Sequence, residues 1–125
     1  MADSLLNMSA TTVLVCASEG TPLGSERDAT QLIGEALSQG ATRIAIPVER
    51  LDASFFQLRT RVLGEFVQKF VNYQIGLVVV GDIAGYIEQS AALRDFVYEA
   101  NRGQHVWFVP NLDDLRQKLR QTAAG

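Results

Sequence analysis

Four short apolar runs, at residues 12–17, 42–46, 75–80 and 105–109, begin about every 31 residues along the chain, close to the length of one strand–helix–strand unit with short loops. No other feature constrains the fold as much. Each run is bounded by turn or helix signals and reads as a buried strand. The run Ile75-Gly76-Leu77-Val78-Val79-Val80 is the most uniformly apolar, which suits a strand covered on both faces near the middle of a sheet. Strands alternating with helices imply a mainly parallel sheet with right-handed crossovers.

The segments between the runs carry helical patterns with legible ends. Ser25 is placed to cap the first helix with Asp28 as the box partner, Leu32, Ile33, Ala36 and Leu37 form its apolar stripe, and Gly40 supplies a left-handed stop. Residues 19–23 are expected to turn into a short antiparallel strand before that helix. The second helix, at residues 60–73, has the cleanest amphipathic face. Leu63, Phe66, Val67, Phe70, Val71 and Tyr73 share one side; Glu65, Gln68, Lys69 and Asn72 share the other, with Glu65 and Lys69 an i,i+4 pair. Ser90 opens a third helix whose Leu93, Phe96, Val97 and Ala100 face the core. Asn111 caps the last helix, with Asp113 and Asp114 in its first turn and Arg116, Lys118 and Arg120 toward its end. The expectation is one α/β domain over residues 11–122 with a four- to five-stranded, mainly parallel sheet. Residues 1–10 are expected to form a flexible tail, and the chain is expected to fray at its end, residues 121–125, with 123–125 outside the domain.

Composition narrows the function classes. With 47% apolar and 20% charged residues, a chain of 125 residues can bury an ordinary core. A net charge of −3, with Lys and Arg scattered, gives no basic footprint for nucleic acid. A single cysteine, Cys16, and a single histidine, His105, leave no internal disulfide, no cysteine zinc cluster and no paired imidazoles for a metal. Cys16 lies in an apolar run, so a buried small hydrophobe is the favoured reading over a Cys16–His105 catalytic pair. No secretory leader pattern and no run near 18 apolar residues is visible, so a cytoplasmic location without membrane insertion is expected. Phosphate loops, dinucleotide fingerprints, nucleophile elbows and zinc-protease motifs are missing, and no cofactor is implied.

In parallel α/β sheets the useful loops lie beyond the carboxyl ends of the strands. Here these are residues 47–59, 81–89 and 110–111. Arg59 with the helix start at Thr60 could hold an anion, and Asp82 could serve as a polar site group. Capping alone is the favoured reading of Thr60 and Asp52, and a turn or cap is the favoured reading of Asp82. The outer face of the second helix suits a protein partner as well as water.

The segment Phe55-Phe56-Gln57-Leu58-Arg59-Thr60, followed by Gly64-Glu65, Gln68-Lys69-Phe70, Asn72-Tyr73, Gly81-Asp82, Asp95-Phe96, Glu99 and Asn101-Arg102-Gly103, resembles the bacterial domain-of-unknown-function family 4180, over residues 13–119. Arg61 stands where that family usually has a glycine. The family's arrangement is in turn similar to the sulfate-transporter and anti-sigma-factor-antagonist (STAS) fold, where an opening hairpin precedes repeated strand–helix units. In that fold a serine at a helix start accepts phosphate and switches partner binding. Gln57 and Leu58 fall where its Asp and Ser would be, which leaves Thr60 and Ser54 as the nearest candidate phosphoacceptors.

The leading expectation is a non-enzymatic regulatory or protein-interaction domain. Its contact surface would combine residues 47–60 with Glu65, Gln68, Lys69 and Asn72. The alternative is a small-molecule binder or enzyme using Arg59, Thr60, Glu65, Lys69 and Asp82, with a small polar ligand. A homodimer through the same face is a third reading.

Overall fold

The computed structural model describes residues 3–124. Five strands form one sheet in sequential order: β1 (Ser4–Met8), β2 (Thr11–Val15), β3 (Arg43–Pro47), β4 (Gly76–Val80) and β5 (Val106–Val109). β1 runs antiparallel to β2 and every other pair is parallel. All four expected runs are strands. The most apolar of them, β4, lies between β3 and β5, while β3 is the central strand.

The expected tail is corrected by β1. Residues 1 and 2 lie outside the described residues, but Ser4–Met8 pairs with β2 along its whole length. Leu6 and Met8 point inward while Leu5 and Asn7 are exposed, which is the alternation of a half-covered edge strand. The hairpin turns at Ser9 and Ala10, with φ of 49° and 64°. A two-residue hairpin favours that left-handed pair, usually advertised by Asn-Gly or Asp-Gly, so Ser-Ala gave no turn signal. The opening hairpin is thus β1–β2. Residues 19–23 do not form an antiparallel strand; Leu23 makes only an isolated parallel bridge to Leu51.

Two clusters sort the helices by face. Leu14, Ile44, Ile46, Leu77, Val79 and Phe108 pack with residues of α1 (Glu26–Ser38), α2 (Val62–Asn72) and α4 (Ala91–Arg102). Ala45, Val78, Trp107 and Val109 pack with Leu115 and Leu119 of α5 (Leu112–Ala124). Adjacent strand residues face opposite sides, so one sheet face carries α1, α2 and α4, and the other carries α5. Helix α5 continues to Ala124, through most of the residues expected to fray; Gly125 lies outside the described residues.

The caps follow the local chemistry. Ser25 and Asp28 form a complete capping box on α1, and Gly40 takes φ +75° after its end. Ser90 and Asn111 accept the N–H groups of Leu93 and Asp114. The apolar stripes are narrower than expected. Leu37, Val71 and Tyr73 are exposed, because α1 and α2 meet each other and the sheet over only part of their apolar arcs. Residues 81–89 are not all loop: a six-residue α3 (Ala84–Gln89) lies within them, with Tyr86 stacked on Phe56 at 4.2 Å.

Candidate functional site

The module from Phe55 to Tyr73 is not one helix with a leader. Asp52 caps a first 3-10 turn, Ala53–Phe56, by accepting the Ser54 N–H at 2.9 Å, and a second turn, Leu58–Thr60, follows. Phe55 and Phe56 drive inward from the first turn, and Phe55 meets Phe66 edge to face at 5.4 Å. The Thr60 hydroxyl ties the two turns together. It lies 2.9 Å from the Ser54 carbonyl and 2.7 Å from the Gln57 carbonyl, and it accepts the Val62 N–H at 3.3 Å. Helix α2 therefore starts at Val62 rather than Thr60. Arg61 between them is left-handed, at φ +63°, the geometry that a glycine would take without steric conflict.

These contacts locate the site residues expected from sequence. Both candidate phosphoacceptors are engaged within the turns: Thr60 as above, and Ser54 by donating its hydroxyl to Asp52 Oδ1 at 2.8 Å. Arg59 is exposed. Gln68 donates to Asn72 Oδ1 at 2.8 Å, one turn along α2. Lys69 does not pair with Glu65; its ammonium reaches Glu26 on α1 at 4.0 Å. Glu65 instead shares a hollow with Ser54, Asp52, Asp28 and Glu26 between the starts of α1 and α2. Asp82 lies apart from these. It caps its own turn by accepting the Ala84 N–H at 2.9 Å and lines a separate hollow with Ile87, Asn101 and Phe108. Glu65, Lys69 and Asp82 thus do not share one hollow.

Electrostatics follow the hydrogen bonds. Burial alone would raise the Asp28 pKa. Hydrogen bonds with Gly24 and Ser25, with the charge of Arg50, more than offset that and hold it below the ordinary carboxylate value. Asp52 is lowered by its backbone and side-chain bonds with Ser54, slightly opposed by desolvation. Cys16 is pushed up to about 12 by burial; Asp3 and Glu35 add to the rise and Arg50 opposes it. Its thiol is therefore not an activated nucleophile. Among the described residues no group of His, Cys, Asp and Glu could hold a metal ion, and no helix is long and apolar enough to cross a membrane.

One hollow brings together residues that sequence reasoning did not group. Leu58 from the second turn, Arg61, Leu63, Gly64 and Glu65 from the start of α2, and Phe96 from α4 line an apolar groove of about 430 Å³. Its floor is Leu58, Leu63 and Phe96. Arg61 and Glu65 supply opposite charges at its edges. Gly64 is exposed on α2, and a Cβ built there meets nothing within 4 Å. Internal packing therefore gives no reason for glycine at a helical position that alanine would fill more stably. That glycine, adjoining Leu63 on the outer edge of a strongly amphipathic helix, was the one available sequence signal.

A family model described as a domain of unknown function, DUF4180, matches residues 8–119. No curated protein and no solved structure matches the chain. With nearly the whole domain inside that match, the chain belongs to the DUF4180 family.

Proposed function

We propose that this domain is a non-enzymatic, cytoplasmic regulatory module that docks a protein partner in the groove between the Leu58–Thr60 turn, the start of α2 and Phe96. The observation that carries this reading is the groove itself. Its floor is apolar, its charges sit at the edge, and Gly64 keeps it open although nothing in the fold occupies that space. An apolar centre with a polar rim is the anatomy of a recognition surface. Arg59, Gln68 and Asn72 would extend the rim along the outer face of α2. The antiparallel opening hairpin followed by parallel strand–helix units supports a STAS-like arrangement, a fold used for partner switching. Thr60 and Ser54 would act as phosphoacceptors only if the turns opened, since both hydroxyls are hydrogen-bonded within them.

The test is affinity capture from the native cytoplasm with the wild-type chain, Gly64→Leu and Arg59→Ala. Gly64→Leu should fold, because its Cβ enters open space, and should lose the partners that the wild type retains. Equal capture by wild type and Gly64→Leu, with both folded by circular dichroism, removes the groove from the reading.

A second reading is favoured by one observation. A broad hollow of about 530 Å³ lies beyond the carboxyl ends of β3, β4 and β5, lined by Pro47, Glu49, Gly81, Asn111, Asp113 and Arg116. This is where parallel α/β sheets place small ligands. Co-purified metabolites identified by mass spectrometry, and lost on Arg116→Ala, would favour a small polar ligand over a protein.

A further inference from the structure

Arg43, Gly76 and Trp107 form a local arrangement at the opposite, amino-terminal end of the strands. Arg43 on β3 pairs in register with Gly76 on β4, and its guanidinium lies 3.9 Å from the Trp107 ring centroid. A Cβ on residue 76 would come within 2.6 Å of Arg43 Cγ and 2.5 Å of its Nη1, so the bare glycine is what lets the arginine lie across the sheet. Of its five N–H donors, one hydrogen bond is recorded, from Nη2 to the Gln104 carbonyl at 3.1 Å. Nη1 is buried with no hydrogen-bond partner among the described residues. Burial draws the arginine pKa below its ordinary value, as expected for a cation short of counter-charge.

The same arginine walls a hollow of about 310 Å³ with Thr11, Thr42, Gln74, Gln104 and His105. No carboxylate lines it, in a chain whose net charge is −3. Of these five residues, Thr42, Gln74, Gln104 and His105 are exposed and Thr11 is half-buried. Gln74 is left-handed, at φ +58°, as the stop of α2 requires: its N–H donates to the Val71 carbonyl and the Ile75 N–H to the Phe70 carbonyl. Arg43 and five polar side chains, with no carboxylate among them, thus line one cavity.

We propose that this hollow binds a small organic anion, with its carboxylate or phosphate on Arg43 and its neutral polar part on Thr11, Thr42, Gln74, Gln104 and His105. Guanidinium donors match either oxyanion. The volume suits a small metabolite.

The experiment is an amide NMR titration of the full chain with inorganic phosphate and, separately, with citrate. Ionic strength is held constant with chloride, and Trp107 emission is followed in parallel. Saturable shifts at Thr42, Gln74, Gln104 and His105, with half-saturation at or below about 1 mM for at least one probe, are expected. Arg43→Gln should weaken that binding about tenfold or more. Thr42→Val, which leaves the Arg43–Trp107 stack in place, should weaken it about threefold and decides the matter if Arg43→Gln fails to fold. Tighter binding of phosphate identifies a phosphate-bearing ligand, and tighter binding of citrate a carboxylate. No saturation up to about 20 mM of either probe, shifts centred elsewhere, or binding unchanged in the folded variants overturns the proposal.

Discussion

Gly76→Ala is the substitution whose effect follows most directly from the geometry. The added Cβ would meet Arg43 not only at the end of its side chain but at Cγ, 2.6 Å away. The arginine therefore cannot yield by swinging its tip; it must leave the sheet surface. It then loses its place over Trp107 and its bond to the Gln104 carbonyl. A half-buried cation–π contact is worth about 1 kcal/mol and a partly exposed charge-assisted hydrogen bond about 1 kcal/mol more. Against this, alanine in a strand interior gains about 0.5–1 kcal/mol over glycine. With some strain remaining, the net loss should be about 1–2 kcal/mol, or roughly 3–8 °C in Tm for a domain of this size. Urea unfolding measures it, and Trp107, the single tryptophan, reports the departure of the cation as a change in native emission. The decisive arm is the double-mutant cycle with Arg43→Ala. Once the arginine side chain is gone, Gly76→Ala should turn neutral or stabilising by up to ~1 kcal/mol. If it destabilises the Arg43→Ala protein as much as the wild type, the clash is not with Arg43 and the reasoning fails.

Three further expectations are as simple to check. Arg61→Gly should raise stability by about 0.5–1 kcal/mol by relieving the left-handed backbone at φ +63°, visible as a higher thermal midpoint; a lower one would show that the Arg61 side chain holds the turn. Cys16, with its thiol pushed up to about 12 and buried, should resist thiol reagents in the native chain at pH 8 and react within seconds in denaturant; rapid native labelling would contradict the placement. Asp28 has a lowered native pKa, so it binds fewer protons folded than unfolded near pH 4. Its contribution is present above the unfolded value near ~4 and is lost as pH falls through the native one. Asp28→Asn should therefore be less stable than wild type at pH 7, with the gap narrowing below pH ~4; a gap that does not change with pH would assign the effect to the cap geometry alone.

How much of this was legible depended on whether the relevant force was local. The parallel strands declared themselves because burial on both faces demands continuous apolar runs, as in Leu77-Val78-Val79-Val80. Caps were legible because an Ser25–Asp28 box needs only three residues of spacing. Strand β1 was missed because its exposed edge relaxes the demand for apolar residues and its left-handed Ser9-Ala10 turn uses neither Gly nor Asn. Helix α3 buries no residue and so leaves no stripe to read. The i,i+4 rule assigned Lys69 to Glu65, but α1 brings Glu26 into reach, and no local pattern could foresee that. The groove was invisible for the same reason. Leu58, Gly64 and Phe96 come from three segments and share a surface only after folding.

The residues that made the family recognisable can now be divided by what holds them in place. Phe55, Phe56 and Phe70 are core. Thr60 joins two turns and Asp82 closes another. Asn101 joins three elements at once: its side chain accepts the Phe108 N–H at 2.7 Å, while its carbonyl accepts the Lys118 ammonium at 2.8 Å. Gly103 adds a carbonyl for the Trp107 indole N–H. Lys118 thus serves the end of α4 rather than only its own helix dipole, as its place in the chain had suggested. Gly81, at φ +139° with Val48 2.9 Å from where a Cβ would sit, is required by its backbone. Folding accounts for all of these. Gly64 is open in the same way as Gly34 of α1 and Gly85 of α3, and Glu65 lies in the first turn of α2, where its charge suits the helix dipole. Gly64 and Glu65 are adjacent, exposed and on the rim of the same apolar groove. The space beside Gly64 is open, so a side chain placed there tests the docking proposed for the groove without disturbing the core.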